Sequence, residues 1–141
     1  MSISLVKPYF RLKLGELGYT EWRDAFPSDN IPANLLDKSY HLRFGTCTED
    51  QTNPTDVEVT QEINLSCFFK GFREPELAVD TAVVEAEKII QKLCNLSAAD
   101  DFGLKQVRFQ SFSIEPFEDE IQDNVVRLDF VFESMVFICL D

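Results

Sequence analysis

The stretch VEVTQEINLSCFF, from Val57 to Phe69, sets the class of fold. Val57, Val59, Ile63, Leu65, Cys67 and Phe69 fall on alternate positions, with Glu58, Thr60, Glu62, Asn64 and Ser66 between them. Successive side chains of a strand point to opposite faces, so this pattern predicts a strand with one face buried and one in water. A helical pattern follows. Ala78, Ala82, Ala86, Ile89, Ile90, Leu93 and Leu96 form an apolar stripe, widened by Val79, Thr81 and Val83, which predicts a helix from about Glu76 to Leu96. Pro75 suits its first turn, Glu74 and Glu76 suit its positive end, and Lys88 and Lys92 its negative end. Val126, Leu128, Phe130, Phe132, Val136 and Ile138 then mark a final strand from about Val125 to Cys139, long enough to reach beyond one sheet and pair with something else.

Between that helix and the final strand, Ser97 to Gly103 reads as a loop and Val107 to Ile114 as a strand. The strand's alternation breaks: Val107 and Phe109 share one face, Phe112 and Ile114 the other. A bulge near Gln110 or Ser111 would reconcile them. Glu115 to Asn124 is an acidic turn with Pro116 and Phe117 at its base. Toward the N-terminus, Ile3, Val6, Phe10, Leu14 and Leu17 recur at helical steps. They predict a first helix that begins near Val6, with Pro8 in its first turn and Gly15 and Gly18 at its end. Trp22, Phe26 and Ile31, among Pro27, Asp29, Asn30 and Pro32, suggest an ordered loop. Tyr40, Leu42 and Phe44 alternate with Ser39, His41 and Arg43 as a first strand, and the polar run Gly45 to Asp56 reads as an exposed, mobile loop closing a long hairpin. The result is an α+β domain over residues 1–141, mainly an antiparallel sheet of about four strands packed on two helices in the order α-β-β-α-β-β.

Composition bounds the function. A chain of 141 residues, 45% hydrophobic and 27% charged, can bury a core without metals or disulfides. The formal net charge of −12 opposes binding to nucleic-acid backbone or an anionic membrane by charge. The 13 Phe residues exceed ordinary use; several fill the core and any surplus is available for a subunit interface. Cys47, Cys67, Cys94 and Cys139 form no CxxC, which favours reduced, mostly buried thiols in a cytosolic protein. The N-terminus does not read as a signal peptide, and no apolar run approaches the ~20 residues of a spanning helix.

Catalytic signals are absent from the pattern. His41 is the only histidine and lies on the polar side of an alternating strand, so no nucleophile–base pair or zinc set is predicted. The carboxylates from Glu115 to Asp123 lack the order of a calcium loop, and there is neither a P-loop nor a GxGxxG. The expectation is a protein that is not an enzyme, with no cofactor and no metal. Its basic and aromatic string Lys7-Pro8-Tyr9-Phe10-Arg11 reads as an amphipathic helix or a docking face.

Three strings then suggest a family: Leu5-Val6-Lys7-Pro8-Tyr9-Phe10, Leu17-Gly18-Tyr19-Thr20-Glu21-Trp22 and Leu36-Asp37-Lys38-Ser39-Tyr40-His41. With the strand-to-helix passage at Gly71 to Ala78 and the long final strand, nearly the whole chain resembles the tail terminator proteins of tailed bacteriophages. These are also called tail completion or minor tail proteins of the lambda U type. The resemblance implies an α+β subunit made in the host cytoplasm that forms a hexameric ring at the head-proximal end of the tail tube. Such a ring stops tube polymerisation and joins the tail to the head connector (stopper) protein, while genome DNA passes through without specific binding. Under that reading Thr46, Glu49, Asp50, Asn53 and Asp56 of the hairpin loop, and Glu118, Asp119, Glu120 and Asp123 of the acidic turn, are candidates for contacting tube or connector. Another neck, head-tail joining or tube component remains open, as does an acidic adaptor or inhibitor that mimics DNA.

Overall fold

A computed structural model describes residues 3–21, 38–51, 56–70, 75–116 and 125–139. A 3-10 turn, Ile3–Leu5, leads into α1, Val6–Glu16, which buries Val6, Tyr9, Phe10 and Leu14 at three- and four-residue steps. Pro8 lies in the first turn, where the helix needs no amide donor. Gly18 takes a φ of 91°, the left-handed conformation that turns the chain out of the helix. α2, Pro75–Leu93, presents Ala82, Ala86, Ile89 and Leu93 to the core. The Tyr9 hydroxyl donates to the Leu93 carbonyl at 2.8 Å and so fastens α1 to the last turn of α2.

Among the described residues the strands are β1, Thr20–Glu21; β2, Ser39–Gln51; β3, Asp56–Lys70; β4, Gln106–Pro116; and β5, Val125–Cys139. They form one sheet in the order β1-β2-β3-β5-β4, antiparallel except for the short parallel pair β1–β2. The helices pack on one face. There Phe10 and Phe109 meet Phe132 at 5.7 and 6.0 Å, Phe130 stacks on Phe132 at 5.3 Å, and Tyr9 meets Phe102 at 5.5 Å. These ring separations are those of packed aromatic pairs, which contribute beyond the area they bury.

The α+β class and the order α-β-β-α-β-β are as the sequence indicates, and the β4 bulge falls between Phe109 and Ser111. That bulge brings Val107, Phe109, Phe112 and Ile114 to the same, helix-covered side. Other features differ. The sheet has a fifth strand, β1, where Thr20 and Glu21 pair with Ser39 and Tyr40. Residues read as the loop Ser97 to Gly103 instead belong largely to a third helix, α3, Leu96–Phe102. Asn95 caps it by accepting the Ala98 amide at 2.9 Å, and Gly103 closes it at φ 100°. α2 accordingly stops at Leu93 instead of Leu96. The final strand stays within one sheet: β3 matches it residue for residue from Asp56↔Cys139 to Lys70↔Val125, while β4 pairs it only from Val126 to Met135. The hairpin loop is the largest difference: β2 continues to Gln51, paired with β3 as far as Val57. Its polar composition reflects solvent exposure, and threonines suit a solvated strand as well as a loop. The ordered loop around Trp22 to Pro32 and the acidic turn beyond Pro116 lie outside the described residues.

Candidate interaction surface

β2 has two parts divided by a bulge. Up to Phe44 it pairs in register with β3, ending at Phe44↔Ile63; beyond it, Cys47 pairs with Gln61, so Gly45 and Thr46 together oppose Glu62. The Gln61 side chain supports this irregularity: its Nε2 donates to the Gly45 carbonyl at 3.0 Å and to the Glu62 carbonyl at 2.9 Å. Gly45 suits the close approach, since a Cβ there would stand 2.8 Å from Glu62 Oε1. Beyond the bulge, Thr46, Cys47, Thr48 and Glu49 are all exposed, and on the far side of the sheet β4 pairs β5 no further than Met135. Among the described residues the sheet therefore narrows to an arm of β2, β3 and β5, in which β2 is exposed from Thr46 to Glu49 while Val57, Val59 and Val136 are buried.

Of the residues singled out from the sequence, Thr46 and Glu49 lie exposed on this arm, and Asp50 and Asp56 are at backbone positions paired with Glu58 and Cys139. Asn53, Glu118, Asp119, Glu120 and Asp123 lie outside the described residues. The sequence did not single out Phe44 or Phe112. Both sit on inward-facing positions yet are 46% and 41% exposed. Alternation assigns a side chain to a face, and whether a helix covers that position depends on packing.

The polar face of the sheet carries a chain of contacts. Ser66 Oγ donates to Asp129 Oδ1 at 2.7 Å, and Arg127 Nε meets Asp129 Oδ2 at 2.9 Å. Glu62 stands directly opposite Glu133, a like-charge pair next to Arg108 on β4. Such a face supports polar contact with a partner or with water. Among the described residues no group of three or more His, Cys, Asp or Glu is gathered as metal ligands would be. His41 pairs across the ladder with Ser66, on the polar face. Burial pushes the Cys67 thiol strongly up, with the Asp129 and Glu85 charges adding to it. It also raises that of Cys94, although the Phe109 backbone hydrogen-bonds the sulfur. Both thiols are poor nucleophiles in this state. No described helix is long and apolar enough to cross a membrane.

No family model matches the chain, and no curated protein sequence matches it. Among solved structures, the fold is similar to that of a chain in the virion of a native gene transfer agent particle. The TM-score is 0.51 over 94% of this chain and 92% of that one, at 14% identity. At that identity the likeness is one of fold, and it extends over nearly all of both chains.

Proposed function

We propose that the protein is a structural component of a phage-like virion and, within it, a tail terminator. In this role copies form a closed ring at the head-proximal end of the tail tube, end tube growth and meet the head connector, and DNA passes through the centre. The observation that carries the reading is the fold, shared almost end to end with a virion chain. The strings around Val6 to Phe10 and Leu17 to Glu21 support it independently, because they resemble the terminator family. The arm supports it physically: its outer strand, β2, bears exposed Thr46 and Glu49 and offers a contact for tube or connector. The net charge of −12 suits a wall that DNA slides past without sticking. No enzymatic role is part of this reading.

Light scattering after size exclusion, over a range of protein and Mg²⁺ concentrations, with negative-stain imaging of any large species, tests the ring. A closed ring of about six subunits with an open centre is the expected result. A compact two-fold dimer, or a monomer under every condition, would refute it, since neither encloses a passage.

A further inference from the structure

We infer that the two opposite edges of the sheet are complementary halves of one contact between copies of this chain. Phe44 with Lys7 on the β2 edge docks against the α2–β4 edge of the next copy. This inference rests on the ring reading above and names the surfaces that close the ring.

The α2–β4 edge is apolar where it is exposed. Val79 and Val83 are 38% and 43% exposed, and they share a helical flank with Cys94, three turns beyond Val83. The Cys94 sulfur is hydrogen-bonded by the Phe109 backbone, so that flank looks toward β4. There Phe112 lies on the same side of the sheet and is also exposed. Asp80 and Glu87 border this strip on the outer side of α2. Both are exposed, and among the described residues neither meets a cation.

The β2 edge has the opposite character. Phe44 stands open on the helix side of the strand, with Lys7 Nζ 6.0 Å from its ring centroid. Among the described residues, Lys7 has no carboxylate partner, whereas Arg11 is paired with Glu21 and Lys13 with Glu16. One edge thus offers an aromatic ring and a spare cation; the other offers an apolar strip and two spare anions. A two-fold contact of either edge with itself would set like charges together. Joining one edge to the other pairs the charges and buries the rings. Since β2 and β4 are separated by β3 and β5, each copy can use both edges at once, and such a contact propagates into a ring or a filament.

Two surface variants test this. Lys7→Glu with Phe44→Glu disables the β2 edge; Val83→Asp with Phe112→Asp disables the α2–β4 edge. Circular dichroism checks the fold, and Lys7→Glu alone replaces the first variant should Phe44→Glu unfold it. In light scattering the unmodified protein should assemble, while each variant alone should stay at its monomer mass of about 16.2 kDa. An equimolar mixture of the two should give a species of twice that mass, because one intact β2 edge then meets one intact α2–β4 edge. Variants that assemble like the unmodified protein, or a mixture that stays monomeric while the unmodified protein forms rings, would overturn this pairing and leave the ring standing. An unmodified protein that stays monomeric at every concentration would overturn both.

Discussion

Replacing Tyr19 by Phe tests the link that ties the segment after α1 to α2. The Tyr19 hydroxyl donates to Glu85 Oε2 at 2.6 Å, and the other oxygen of Glu85 lies 3.2 Å from Lys88 Nζ. Tyr19 and Glu85 are both buried, so the carboxylate relies on these donors in place of water. Burial alone raises the Glu85 pKa. The hydrogen bonds from Tyr19 and Lys88, with the charges of Lys88 and Lys38, outweigh it, and the net pKa lies below the ordinary glutamate value. Tyr19→Phe keeps the ring, including its edge contact with Phe69 at 6.1 Å, and removes only the donor. A hydrogen bond to a charged group contributes about 1.5–3 kcal/mol. With an unfolding entropy of about 2.1 cal/mol/K per residue, the Tm of this 141-residue chain should fall by roughly 5–10 °C at pH 7. The pH dependence follows from the sign of the shift. A carboxyl with a lowered folded pKa adds stability above its unfolded pKa and loses it as pH falls through the folded one. The variant's deficit should therefore be full at neutral pH and shrink below about pH 4. Thermal unfolding followed by circular dichroism at pH 7 and pH 3 reads both. A deficit of the same size at both pH values, or none at pH 7, would refute the assigned role of the charged carboxylate.

Gln61→Leu removes both donors at the β2 bulge, leaving the Gly45 and Glu62 carbonyls without those bonds. It should cost about 1–3 kcal/mol in urea unfolding and speed hydrogen exchange in the arm before the core. Gly103→Ala forces a side chain into φ 100° and sets its Cβ 3.1 Å from Leu5 Cδ1, so a loss of about 1–2 kcal/mol should appear in the same assay. Ser134→Ala should leave Tm unchanged or raise it, because Ser134 Oγ is buried with no hydrogen-bond partner among the described residues. Glu49→Lys on the exposed arm should leave Tm nearly unchanged; under the proposed function it should reduce attachment to tail tubes in a co-sedimentation assay.

Much of the scaffold is written in local periodicity. Val57 to Phe69 and Val126 to Ile138 become the two central strands because each must bury one face. α1 and α2 follow from stripes at three- and four-residue steps, and the break between Phe109 and Phe112 signals the β4 bulge. A pattern of burial is a property of a segment, and the sequence carries it in place. The candidate surface is less legible. Thr46 and Glu49 read correctly as exposed, but the strand that carries them extends past the bulge by pairing Cys47 to Gln51 with Val57 to Gln61, which no local preference announces. The exposed rings of Phe44 and Phe112 are hidden from the sequence for a related reason, since alternation points both toward a core that the helices do not fully cover.

The sequence by itself determined which segments are amphipathic and with what period, and hence the α+β class and the order of the main elements, along with the acidic, phenylalanine-rich composition. Only the tertiary structure decided the order β1-β2-β3-β5-β4, the parallel β1, the capped α3, the length of the arm and the meeting of Tyr19 with Glu85. Each of these depends on a partner distant along the chain. A residue's hydrophobicity and spacing fix which face it favours, and the packing of the whole chain fixes whether that face is covered and by what.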